Sequence, residues 1–212
     1  MNLNHILITV SIALSSLLAG CASTDPVSAT YDFGPMPALA ASGPAAPEPP
    51  DAPQAPSMTL AVADASGPSW LDSRTMYYRL LYAKAQQSHP YSYHRWSAPP
   101  LQLLSARLKS RIAQSGIDVL SVTDASTDTL LLRIAVEDFS QYFDSQQTGS
   151  GNITLRASLF RARHLVRQKT FTRATRITSA DAIGGARALA ASSDALAFDI
   201  IAWLAALPLP RE

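Results

Sequence analysis

The residues best equipped for chemistry lie together at 89–100, HPYSYHRWSAPP: two histidines, an arginine and three aromatic rings within eight residues, closed by two prolines. His89 and His94 stand five apart with no carboxylate between them, whereas a metal centre needs three or four converging ligands. His164 is isolated in sequence and reads as a solvated turn residue. A hydrolase with His94 as base and a serine as nucleophile is the one catalytic reading left open. The motifs that would strengthen it are absent: there is no G-x-S-x-G, no H-E-x-x-H and no G-x-x-x-x-G-K-[ST]. Gly149-Ser150-Gly151 reads as hairpin-turn chemistry. Gly184-Gly185 reads as close packing or a frayed first helical turn. No catalytic, metal-ligating or cofactor-binding residue is therefore assigned.

The sharpest charge feature is a basic run: Arg156, Arg161, Arg163, Arg167, Lys169, Arg173 and Arg176, with no acid among them. Residues 117–145 carry the reverse, Asp118, Asp124, Asp128, Glu137, Asp138 and Asp144 against Arg133. Two readings stand. The basic hairpin could meet lipid phosphates or an acidic partner. Alternatively, it could pair with neighbouring acidic strands across a sheet, where exposed pairs contribute little. The net charge of +1 argues against nucleic acid as a partner.

The single cysteine, Cys21, excludes an internal disulfide. Ile6 to Leu18 form an apolar run of signal-peptide length, shorter than the roughly 20 residues a transmembrane helix needs. Leu18-Ala19-Gly20-Cys21 then has the form of a lipobox, in which small residues enter a peptidase and the thiol takes a diacylglyceryl group. The leader lacks Lys and Arg, a departure from the usual pattern. The expectation is a signal peptide over 1–20 and a covalent lipid on Cys21 as the only bound group. Ala22, where an Asp would retain a lipoprotein at the inner membrane, points to the outer membrane and a periplasmic body.

These features must be carried by a folded unit. Residues 21–34 read as the lipidated N-terminus, with Thr30 to Gly34 a candidate first strand. Residues 35–56 hold eight of the fifteen prolines and read as an extended Pro/Ala loop or linker. Residues 57–207 alternate as a domain should, and 208–212 are a tail. Strands are expected over SMTLAVADA, 76–83, 117–122, 129–139, 153–162 and 166–177. HPYSYHRWSAPP is expected to be a loop into the first helix, with Ser97 as a nearby cap, Arg95 stacked on Trp96, and Pro99 and Pro100 in the first turn. That helix carries Leu101, Leu104, Leu108 and Ile112 on one face and ends at Gly116. SQQTGSGN (145–152) is expected to be a flexible turn. A second helix, Asp181 to Leu207, presents Leu189, Leu196, Ile200, Trp203 and Leu207. Beyond the leader no segment reads as long and apolar enough to span a membrane. The fold class is α+β: one two-layer domain, a mostly antiparallel or mixed sheet with two helices packed on one face.

Y-D-F-G (Tyr31 to Gly34), W-L-D-S-R-T-M-Y-Y-R (Trp70 to Arg79) and Y-x-R-W-x-x-P-P (Tyr93 to Pro100) leading into a leucine-patterned helix together resemble the ABC-type transport auxiliary lipoproteins, the PqiC-like group. The resemblance implies a non-enzymatic accessory of an MCE-type intermembrane lipid transport system. Its implied partners are an MCE-domain protein and an ABC permease/ATPase complex, with homo-oligomerisation as a further implication. It brings no catalytic residues. It singles out Arg79, Tyr93, Arg95, Trp96 and Pro100, as keepers of the fold or as partner contacts. The alternative in the same compartment is an envelope assembly lipoprotein working on lipopolysaccharide, a β-barrel or a secretin.

Overall fold

The computed structural model describes residues 28–36 and 58–208. Cys21, the leader and most of the Pro/Ala segment lie outside the described residues. Eight strands form one mixed sheet: β1 (Ala29–Tyr31), β2 (Thr59–Val62), β3 (Thr75–Leu80), β4 (Ser88–Trp96), β5 (Asp118–Leu120), β6 (Leu130–Phe143), β7 (Gly149–Arg161) and β8 (His164–Arg176). Two helices, α1 (Pro100–Gln114) and α2 (Ala182–Ala205), complete the α+β domain.

β6 is the trunk of the sheet. Along one edge it pairs antiparallel with β7, which pairs antiparallel with β8. Along its other edge it carries two branches. Its first half takes β2 in parallel, with β5 beyond it. Its last residues take β3 in parallel, followed by antiparallel β4 and parallel β1. The alternation read in β6 and β7 holds. Leu132, Ile134, Val136, Ile153, Leu155 and Leu159 are buried, and they join the core formed with Leu104, Leu108 and Ile112 of α1 and Leu189, Leu196 and Ile200 of α2.

Several local expectations are corrected. HPYSYHRW is strand β4 rather than a loop. Its Tyr and Trp residues favour a pleated surface, and Pro90 stands where β4 has only β3 beside it, since β1 pairs with His94 to Trp96 alone. Ser97 caps nothing: α1 starts with Pro99 at its N-cap and Pro100 in its first turn, without a side-chain cap. Gly149 to Gly151 belong to β7 rather than to a turn. A Cβ on Gly151 would lie 2.7 Å from the Leu189 nitrogen, so glycine is what lets α2 cross the sheet there.

α2 is also long and apolar enough to span a membrane, with a mean hydropathy of 1.5, contrary to the expectation that no such segment follows the leader. Its physical role differs. Alanine raises its hydropathy, and its buried side packs on β7, β8 and α1 as a core helix. Asp181 caps it by accepting from the Gly184 amide at 2.7 Å.

Candidate functional site

The β3–β4–β1 branch gathers the aromatic residues. Tyr78 stacks on His89 at 5.2 Å and meets Tyr91 at 4.7 Å. Tyr91 sits edge-on to His94 at 5.7 Å. The Tyr31 hydroxyl and His94 Nδ1 are hydrogen-bonded at 3.1 Å. That contact exists because β1 lies parallel on β4, with Ala29 opposite His94 and Tyr31 opposite Trp96. The Tyr91 hydroxyl donates to Gln141 Oε1 at 2.9 Å, and Gln141 Nε2 donates to the Asp181 carbonyl at 3.0 Å. Gln141 is buried and ties the aromatic branch to the start of α2. Gly185 packs over it: a Cβ there would fall 2.2 Å from Oε1. Burial, with Tyr78 and Asp181 nearby, pushes the Tyr91 phenol well above its ordinary pKa. His94 thus engages a phenol, and among the described residues no serine hydroxyl is hydrogen-bonded to it.

The resemblance residues divide by what they touch. Trp96 is 2% exposed, edge-on to Phe33 at 5.8 Å and to Phe139 at 5.7 Å. Pro100 is buried at the first turn of α1. Arg79 donates to the Gln86 carbonyl at 3.0 Å and the Ala85 carbonyl at 3.4 Å, bracing the β3–β4 turn. Arg95 donates to the carbonyls of Tyr91 and His94 rather than stacking on Trp96. Tyr93 projects, 51% exposed, and Arg95 is exposed beside it.

Sequence reasoning missed the electrostatic centre of the molecule. Asp194 of α2 takes Arg107 in a two-pronged contact, Nε to Oδ1 at 2.7 Å and Nη2 to Oδ2 at 2.8 Å. It also takes Arg111 Nε at 2.8 Å. Arg107 Nη1 reaches the Gly34 carbonyl at 3.2 Å, so the same guanidinium grips the end of the Tyr31–Gly34 segment. Burial opposes ionisation of Asp194, but the hydrogen bonds from Arg111 and Arg107 outweigh it and hold the carboxyl below its ordinary pKa. A signal was available: Arg107 and Arg111 stand four apart and interleave with Leu104, Leu108 and Ile112 on the buried side of α1.

The basic run separates into two groups. Arg156 lies 3.7 Å from Glu137 across the β6–β7 pair, as cross-strand pairing requires, and Arg173 pairs with Asp199 of α2. Lys169 lies over the Phe171 ring at 5.0 Å. Arg161, Arg163 and Arg167 have no ion-pair partner among the described residues. They cluster at the β7–β8 turn, beside Leu165 at 53% exposed. Ala162 and Arg163 form that two-residue turn with φ of 47° and 68°, the type I′ pattern that matches strand twist. Arg156 follows the cross-strand reading, Arg173 is held by the helix instead, and Arg161, Arg163 and Arg167 remain available to a partner.

The ABC-type transport auxiliary lipoprotein component model matches residues 38–201. The chain belongs to this family. The matched span includes Trp70–Arg79 and Tyr93–Pro100 and begins after Tyr31–Gly34. In this auxiliary lipoprotein, therefore, the two matched motifs lead into β3 and out of β4, which are neighbours in the sheet, and the Y-D-F-G segment that follows β1 beside β4 is outside the match. Among curated proteins there is no match. A Xanthomonas campestris protein of known structure shares the fold, with TM-score 0.61, 23% identity, and coverage of 74% of this chain and 88% of that one. An uncharacterized protein of known structure does so with TM-score 0.63 and 16% identity, over 84% of this chain and 99% of that one.

Proposed function

We propose that this auxiliary lipoprotein is held at the periplasmic face of the outer membrane by acyl chains on Cys21 and serves as a non-enzymatic docking component of an MCE-type ABC lipid transport system. Family membership over residues 38–201 carries this reading. The Leu18-Ala19-Gly20-Cys21 box and Ala22 support the anchor and its membrane. Several acyl chains hold where one would not, because each buried methylene contributes about 0.8 kcal/mol. No cofactor beyond that lipid is required.

The geometry supports a division of labour. β1 runs parallel to β4, so the chain coming from Cys21 enters the sheet from the side of the β3–β4 turn. The β7–β8 turn lies at the other end of a 13-residue strand, about 40 Å away. Arg161, Arg163 and Arg167 therefore face away from the tether, toward whatever approaches across the periplasm. Single exposed pairs contribute less than about 1 kcal/mol, so the arginines act as a group, steering an acidic partner surface and fixing its orientation.

The test is recovery of partners from solubilised native membranes with the tagged, lipidated protein. The reading predicts MCE-domain and permease components in the eluate, reduced by added salt. It also predicts their loss from the combined Arg161→Glu, Arg163→Glu, Arg167→Glu variant, which still folds and still fractionates with membranes. Recovery of neither component counts against the reading.

A further inference from the structure

The β3–β4 turn carries the opposite surface chemistry to the basic end. Leu81 is 42% exposed and Tyr82 47% exposed, side by side at the turn, with Lys84 following. This turn is braced. The Leu81 amide donates to the Phe143 carbonyl at 2.9 Å and the Lys84 amide to the Leu80 carbonyl at 3.0 Å. Arg79 closes it from inside through the Ala85 and Gln86 carbonyls. Ile183, 41% exposed, adds a second apolar point at the start of α2, where the Gln141–Asp181 contact brings that helix to the aromatic branch. The nearby acids are Asp144, in the polar turn that follows β6, and Asp181, which is engaged as the N-cap of α2.

The chain outside the described residues says what covers this surface. Cys21 lies eight residues before Ala29, a reach of at most about 28 Å. Ala29 pairs with His94, and from His94 back to Ser88 at the start of β4 is about 20 Å of strand. β1 begins on its β3–β4-turn side, and eight residues are long enough to let that turn rest on the bilayer that holds the anchor. A tyrosine, a leucine and a lysine together match the headgroup boundary, where an aromatic ring sits half-wet and a lysine meets lipid phosphate.

We propose that the β3–β4 turn is a membrane-interface contact, with Leu81 and Tyr82 seated in the headgroup region of the anchoring bilayer and Lys84 on its phosphates. The inference rests on the acylation of Cys21 given under the proposed function. A fixed foot beside the tether would convert a flexible leash into a set orientation and hold the basic end outward.

Because the Cys21 sulfur carries the diacylglyceryl group in the lipidated protein, an introduced cysteine is the single free thiol. A nitroxide at Ala83→Cys and, as a reference, at Arg163→Cys is placed in the full lipidated protein on vesicles of phosphatidylethanolamine and phosphatidylglycerol. The inference predicts that the label at 83 is shielded severalfold from a water-soluble nickel chelate relative to the label at 163. It predicts that Leu81→Asp with Tyr82→Asp abolishes that shielding while the protein still floats with vesicles. Equal accessibility at 83 and 163 in floating protein overturns the inference and leaves the anchor standing. Shielding at 83 that appears in native envelopes but not on vesicles overturns it in favour of a protein contact. Failure to float removes the anchor and the inference with it.

Discussion

Two groups of arginines do opposite things in this molecule. Arg107 and Arg111 are 7% and 3% exposed, share one carboxylate and stitch α1, α2 and the Tyr31–Gly34 segment together. Arg161, Arg163 and Arg167 crowd the β7–β8 turn with no acid among the described residues paired to them. A buried guanidinium must be satisfied inside the fold because desolvation would otherwise cost several kcal/mol. An exposed one is satisfied by water and can be spent on a partner. The same residue type is structural at one place and available at the other, and burial with a carboxylate decides which.

The largest expected break of this contrast is Asp194→Ala. It removes the carboxylate that both buried guanidiniums share and should lower unfolding stability by about 3–5 kcal/mol, read by urea denaturation. Asp194→Asn keeps the shape and should cost less. Next is Gly151→Ala, which forces a Cβ into the α2 backbone and should cost about 1–3 kcal/mol, without touching either arginine group.

pH sharpens the contrast further. The Asp194 carboxyl is held below its ordinary pKa, so its contribution is complete above the unfolded value of about 4 and is lost as pH falls through the lowered folded value. An acid titration of stability should show that limb in the native chain and a flatter one in Asp194→Asn. At the alkaline end, burial and the neighbouring Asp138 raise the Tyr142 phenol to about 12. The neutral phenol is the folded form, so stability should fall as pH rises from about 10 toward 12, more steeply than in Tyr142→Phe.

A smaller change concerns the turn that presents the basic cluster. Ala162 and Arg163 both have positive φ, so Ala162→Asn with Arg163→Gly should raise stability by about 1 kcal/mol while removing one docking charge. The smallest stability effect belongs to the three-arginine glutamate variant, expected within about 0.5 kcal/mol of the native chain. Its partner recovery should nevertheless be lost.

Much of this was legible in the sequence because local pattern and tertiary need agree in the long meander. Leu132, Ile134, Val136, Ile153 and Leu155 alternate and are buried alternately. The patterned leucines of both helices do the same. β4 was illegible because Pro90, its polar residues and the two prolines that follow it mimic a loop, and only pairing with β3 and β1 makes it a strand. Gly149 and Gly151 looked like turn residues because the reason for them, the close crossing of neighbouring backbone, lies outside their own segment. Asp194 was hidden in a run of Ala and Ser, and its partners sit more than eighty residues away on α1. Charge pairing at that distance leaves no periodic trace beyond the four-residue spacing of Arg107 and Arg111.

The central claim is that the two ends of the sheet face different neighbours, and a photo-crosslinker placed in turn at positions 83 and 163 of the lipidated protein in native envelopes tests it most directly. The account predicts adducts with lipid at 83 and with an MCE-domain protein at 163. Lipid adducts at 163 with protein adducts at 83, or the same neighbour at both positions, would contradict it.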